Sequence, residues 1–157
     1  MCRDGWLVIG VLAVAGAIVV AAVLMPFSGS IDDNTPTITL SQPTLEGNQT
    51  VTTVVSGVSR NDVRFSPSRV IVMMPNSTAI TWSLTSATWI GDETSYHDAA
   101  LGYTITLKDV SQANQYFGPG DQITLQSDAQ FLSGHWMIAL VYLPTGGMMG
   151  STGFEAP

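Results

Sequence analysis

The chain has 157 residues, 45% of them hydrophobic, and five Lys and Arg against twelve Asp and Glu give a formal net charge of -7. That length suits one compact domain with one accessory segment. After Arg3 the only cations are Arg60, Arg64, Arg69 and Lys108. So sparse a set excludes nucleic acid as a partner, because phosphate binding needs clustered Lys and Arg, and it excludes docking onto an anionic membrane surface.

Cys2 is the single cysteine and precedes the apolar run, so no disulfide can form within the chain. An exported domain of this kind must rest on core packing, on sugars or on assembly.

From Trp6 to Phe27 no residue carries a charge. As a helix those 22 residues would rise about 33 Å, enough to cross a hydrocarbon layer of roughly 30 Å. The run is longer than the apolar part of a cleaved secretory signal. Arg3 before it, and Asp32 and Asp33 after it, favour an N-terminus inside and a C-terminus outside. Ala13, Ala17 and Ala21 recur at intervals of four, and Gly10 and Gly16 add further small positions. Small residues in a stripe let helix backbones approach closely. Leu7, Val11, Val14, Ile18 and Leu24 make a bulky opposite face. Pro26 ends or kinks the helix, and residues 28–36 read as a polar linker.

From Thr37 the pattern becomes strand-like. Ile38 and Leu40 alternate with threonines, Val51–Val55 is β-branched throughout, and residues 70–74 are apolar on both faces. Ile80, Trp82 and Leu84 form one alternating set, Tyr103, Ile105 and Leu107 a second, and Ile123 and Leu125 a third. Residues 135–143 (HWMIALVYL) are apolar on both faces and predict a central strand. Gly118-Pro119-Gly120-Asp121 and Pro144-Thr145-Gly146-Gly147 punctuate the strands. The expected fold class is therefore α+β: a long N-terminal apolar helix (1–27), a linker (28–36), and an antiparallel, immunoglobulin-like β-sandwich ectodomain of about seven strands over residues 37–157.

Asn48-Gln49-Thr50 and Asn76-Ser77-Thr78 are N-glycosylation sequons, both in expected turns or strand ends. Ser and Thr are abundant, which suits strands and O-linked sugars alike.

The residues Asp4–Phe27 (DGWLVIGVLAVAGAIVVAAVLMPF) resemble the N-terminal helix of archaeal type IV pilins, through the Val8-Ile9-Gly10-Val11 step and the Phe27-Ser28-Gly29 exit. Gly120–Leu125, Gly134–Leu143 and Pro144-Thr145-Gly146 are more loosely similar to the last strands of that family. The resemblance implies a filament subunit. Such a subunit sits in the membrane before assembly, loses its leader to a prepilin peptidase, and packs its helices into a core of identical copies. Cleavage between Arg3 and Asp4 would fit the family's habit; alternatively the printed chain is already mature. The helix-packing residues would be Gly10, Ala13, Gly16, Ala17 and Ala21.

No catalytic, cofactor-binding or metal-binding motif stands out. There is no G-x-S-x-G, H-E-x-x-H, C-x-x-C or phosphate loop. Ser95-Tyr96-His97-Asp98 contains triad residue types, but neighbours on a strand point to opposite faces. Asp92, Glu93, His97 and Asp98 read as a solvated acidic loop more readily than as a cation site. The expectation is thus a non-enzymatic extracellular filament subunit. The alternatives are a membrane-anchored envelope protein that binds a surface layer, and a secreted binding or hydrolytic domain.

Overall fold

The structure, a computed structural model, describes residues 34–111 and 115–157. Ten strands occupy most of that length: β1 Ile38–Leu40, β2 Thr44–Glu46, β3 Thr50–Val58, β4 Ser68–Met73, β5 Ala79–Ser83, β6 Glu93–Asp98, β7 Tyr103–Lys108, β8 Gln122–Ser127, β9 Gly134–Tyr142 and β10 Gly147–Ala156.

The α+β expectation is corrected here. Among the described residues there is no α-helix, only a 3-10 turn at Leu84–Ser86. No helix among them is long and apolar enough to cross a membrane. What stands is mostly antiparallel β-structure. The expected helix over 1–27, with Arg3, Asp4, Gly10, Ala13, Gly16, Ala17 and Ala21, lies outside the described residues, as do linker residues 28–33. Within 34–36, Pro36 is buried and Thr35 Oγ1 lies 2.6 Å from Thr145 Oγ1. The end of the expected linker is therefore packed onto the domain.

Two antiparallel sheets share one core. One runs β1-β3-β8-β7-β6, with β2 also on β3, and the other runs β10-β9-β4-β5. The chain changes sheet between β3 and β4, between β5 and β6, and between β8 and β9. These crossings make a Greek-key path, which sets strands distant in sequence side by side. Val51, Val55, Ile105, Leu107, Ile123 and Leu125 face inward from the first sheet, and Val70, Val72, Ile80, Ile138 and Leu140 from the second. Alternation with period two places them there.

Trp136 is fully buried at the centre of an aromatic group, with Tyr103, Phe131 and Phe154 at ring-centroid distances of 5.4, 5.2 and 5.8 Å. Its indole N–H donates to the Leu132 carbonyl at 2.8 Å. That bond leaves no buried donor unpaired while the ring contributes its large apolar surface.

The two long edges of the molecule close differently. At one, β1 lies against β10. Gly150 fits there because a Cβ would collide with the carbonyl of Ile38. Ser41 and Pro43 interrupt the edge between β1 and β2, where proline cannot donate to a ladder. The Ser41 carbonyl accepts from Thr53 Oγ1 (2.8 Å) of β3 and from Thr152 Oγ1 (3.1 Å) of β10, tying both sheets together. At the opposite edge, Trp82 of β5 stacks on Tyr96 of β6 at 6.2 Å.

Candidate functional site

The middle strands of the four-stranded sheet are apolar on their outer face, whereas Thr81, Ser83, Ser151 and Glu155 make that face polar toward its edges. On the four-stranded sheet, outward positions carry Ile71 and Met73 of β4, and Met137, Ala139 and Val141 of β9, with Ile71 paired to Ala139 and Met73 to Met137. Ile71, Ala139 and Val141 are 4%, 2% and 2% exposed, yet none belongs to the shared core. They form a second apolar layer, flanked by Arg69 and by Met148, which pairs with Val141 and is 42% exposed. Arg69 Nε is buried and has no hydrogen-bond partner among the described residues. Met149, next to Met148, occupies the bulge in β10 and is part of the core. The two adjacent methionines thus divide between an outer face and the interior.

The chain enters the described region at the rim of this apolar face. Thr35 bonds Thr145 in the β9–β10 turn and packs against Gly147, one residue before Met148. The last residues before the domain therefore lead to the corner where the outer apolar layer begins.

The outer face of the six-stranded sheet is polar. One register row reads Thr44, Thr52, Thr124, Thr106, Ser95 across five adjoining strands. The row beside it reads Glu46, Thr50, Gln126, Thr104, His97. Thr52 and Thr124 share a hydroxyl–hydroxyl bond of 3.1 Å.

The suspected acidic and histidine residues do not converge. His97 Nδ1 bonds Thr104 Oγ1 at 3.0 Å, and its Nε2 lies 3.8 Å from Asp128, which comes from the β8–β9 connection. Asp98 Oδ1 accepts from the backbone N–H groups of Ala100 and Leu101 and so closes the β6–β7 turn. Asp92 lies 4.0 Å from Lys108. Among the described residues no three His, Cys, Asp or Glu groups are placed to hold a metal ion. His135 pairs with Glu155 at 2.8 Å on an exposed strand surface.

The two sequons differ in geometry. Asn76 is exposed at the tip of the β4–β5 hairpin, and its Oδ1 accepts from the Thr78 N–H at 3.0 Å, an Asx turn that leaves the amide nitrogen outward. Asn48 is half-buried in the β2–β3 turn. Its Oδ1 is shut off from solvent without a partner among the described residues, and its carbonyl accepts from the Phe131 N–H at 2.9 Å.

One organising group escaped the sequence reading. Asp121 is fully buried at the start of β8; it accepts from the N–H of Gly118 at 2.7 Å and from the N–H of Ser111 at 2.9 Å. Asp109, also buried, accepts from Ser111 Oγ at 3.1 Å and from the Gln115 N–H at 3.0 Å. Together the two carboxylates hold both ends of the connection between β7 and β8. Burial pushes the Asp121 carboxyl above its usual range, against the lowering effect of its backbone and Ser111 hydrogen bonds. The visible signal was an aspartate directly after Gly-Pro-Gly, a position where a short carboxylate caps turn N–H groups.

Compared with family models, with curated proteins and with solved structures, the chain matches none.

Proposed function

We propose that this chain is a non-enzymatic structural subunit of an extracellular filament of the type IV pilus kind. In this reading the segment Trp6–Phe27 is held in the membrane before assembly and against copies of itself afterwards. The observation that carries the reading is the uncharged 22-residue apolar segment with its stripe of small residues, set directly ahead of a β-domain. A membrane anchor alone needs only the segment. Ile71, Ala139 and Val141 are already buried within the chain, and the apolar side chain beside them that stays open to a neighbouring subunit is Met148, 42% exposed. The resemblance of residues 4–27 to archaeal type IV pilins supports the same function. It brings a prepilin peptidase and an assembly machinery as partners, with cleavage between Arg3 and Asp4.

Substituting Ala17 by Leu adds bulk to the small-residue stripe of Gly10, Ala13, Gly16, Ala17 and Ala21. The expected outcome is loss of surface filaments from the source cells while the β-domain folds and is exported normally. Purified filaments should contain this chain, with its mature N-terminus at Asp4. Recovery of the parent chain only as a monomer in detergent-extracted membranes would sink the filament reading in favour of an envelope-anchored binding protein.

A further inference from the structure

Ile71, Ala139 and Val141 point away from the shared core, yet each is almost closed to solvent. We infer that segment 28–33 (SGSIDD) folds back over this outer face of the four-stranded sheet, with Ile31 on the apolar layer and the Asp32–Asp33 pair on Arg69.

A side chain on the open face of a sheet keeps part of its surface in water unless something lies over it. β4 and β9 make their main contacts with each other, with β5, with β10 and with the 3-10 turn that follows β5, all on the same side of the sandwich. The other sheet packs against their core side. Outside the described residues, 112–114 belong to the connection between β7 and β8, two strands of the other sheet. Residues 1–33 instead lead straight to the corner of the apolar face, where Thr35 bonds Thr145 and packs on Gly147. The cover therefore comes from the chain ahead of Asn34.

Reach selects the residues. Gly147 pairs with Tyr142 and Tyr142 with Ser68, so Arg69 lies two strands across and one residue along from the entry corner. With strands about 4.8 Å apart and about 3.3 Å per residue, that is roughly 10 Å, the span of extended chain from Thr35 back to Asp32. Ile71 lies two strands across and three residues along, roughly 14 Å away, which the side chain of Ile31 reaches from an extended backbone.

Charge fixes the pairing. The outward row at this corner runs Met148, Val141, Arg69, Ser83. Arg69 Nε is shut off from solvent without a hydrogen-bond partner, and Arg69 forms no ion pair among the described residues. A buried donor is costly until an acceptor meets it, and a carboxylate is the acceptor that fits the guanidinium fork best. Glu155, on the same face, is already paired with His135. Asp32 and Asp33 bring two free carboxylates within reach. Docked in this way, the segment sets the direction in which the domain leaves its apolar run. That holds for a single chain, in a membrane or against other copies, so the inference does not rest on the filament reading.

The full-length chain in detergent micelles is treated with a protease that cuts on the N-terminal side of aspartate, and the products are weighed by mass spectrometry. Asp62, exposed in the connection between β3 and β4, is the internal standard. Relative to the cut at Asp62, cutting at Asp32 and Asp33 should rise about tenfold in Arg69→Gln and less in Arg69→Lys. An unchanged rate at Asp62 shows that the variants are folded. Independently, in a Cys2→Ser background, Ile31→Cys with Ile71→Cys should form a disulfide within one chain under mild oxidation. Ile31→Cys with Ser151→Cys should not, although Ser151 lies nearer the entry corner, at roughly 10 Å, where a loose tether would find it first. The protease comparison needs no cysteine and stands if a cysteine variant fails to fold. Equal cutting of parent and Arg69→Gln, equal cross-linking to both positions, or cross-linking only between two chains would each overturn the inference. The last result would make the face an interface between copies.

Discussion

Asp121 offers the sharpest test of the physical reasoning. Its two carboxylate oxygens accept from Gly118 and Ser111, and the residue is fully buried. Asp121→Ala removes both acceptors and leaves two backbone N–H groups without partners. At about 1–3 kcal/mol for each buried unsatisfied donor, the loss is roughly 2–6 kcal/mol, a large part of the about 5–15 kcal/mol that holds a domain folded. Asp121→Asn keeps one oxygen acceptor and turns an amide nitrogen toward the second donor, so about 1–3 kcal/mol is lost, partly offset because no charge is buried. The order of stability is parent, then Asn, then Ala, measured by urea unfolding at neutral pH.

The pH dependence carries its own sign. Burial raises the folded-state pKa of Asp121 above its ordinary value of 3.8. The stability contributed by proton uptake is then fully present below 3.8 and is lost as pH rises through the folded value. Between those two values the parent should therefore gain on Asp121→Asn as the pH falls. Identical acid-range slopes for parent and Asn variant, or an Asn variant less stable than the Ala variant, would refute the account.

Gly150→Ala should loosen the β1–β10 edge, because the new methyl meets the Ile38 carbonyl. The expected cost is about 1–3 kcal/mol, read as a lowered urea midpoint with faster amide exchange in β1 and β10. If cells with an N-glycosylation pathway express the chain, intact glycopeptide mass spectrometry should find sugar at Asn76 and not at Asn48. Equal occupancy at the two sites would show that half-burial of Asn48, whose Oδ1 is shut off from solvent, does not hinder transfer.

The strands most legible in the sequence were those whose inward positions are apolar. His135–Leu143 was expected as a central strand, and β9 does lie between β10 and β4. Residues 70–74 were apolar on both faces because β4 contributes to the core with Val70 and Val72 and to the outer layer with Ile71. β6 was missed because one of its inward positions is Thr94, whose hydroxyl donates to the Thr88 carbonyl, leaving Tyr96 as its one large apolar residue. β10 was missed because glycines fill it, and Gly150 is there to admit the backbone of β1. Gly and Thr in these strands answer to neighbours remote in sequence, which local periodicity does not register. The same is true of the site: the polar face and the outer apolar layer appear only once strand registers are known, whereas the uncharged segment 6–27 is plain from composition.

The shared carbonyl of Ser41 has a mechanical consequence. A pull on the chain ahead of Asn34 enters the domain at β1, beside β10 and the Thr35–Thr145 contact. The ladder of β1 with β3 and the two hydroxyls from Thr53 and Thr152 are then loaded together, across both sheets. Bonds loaded side by side must break nearly at once, whereas bonds peeled one by one give way at low force. The domain is thus fastened across both sheets at the corner where tension from its N-terminal segment would arrive.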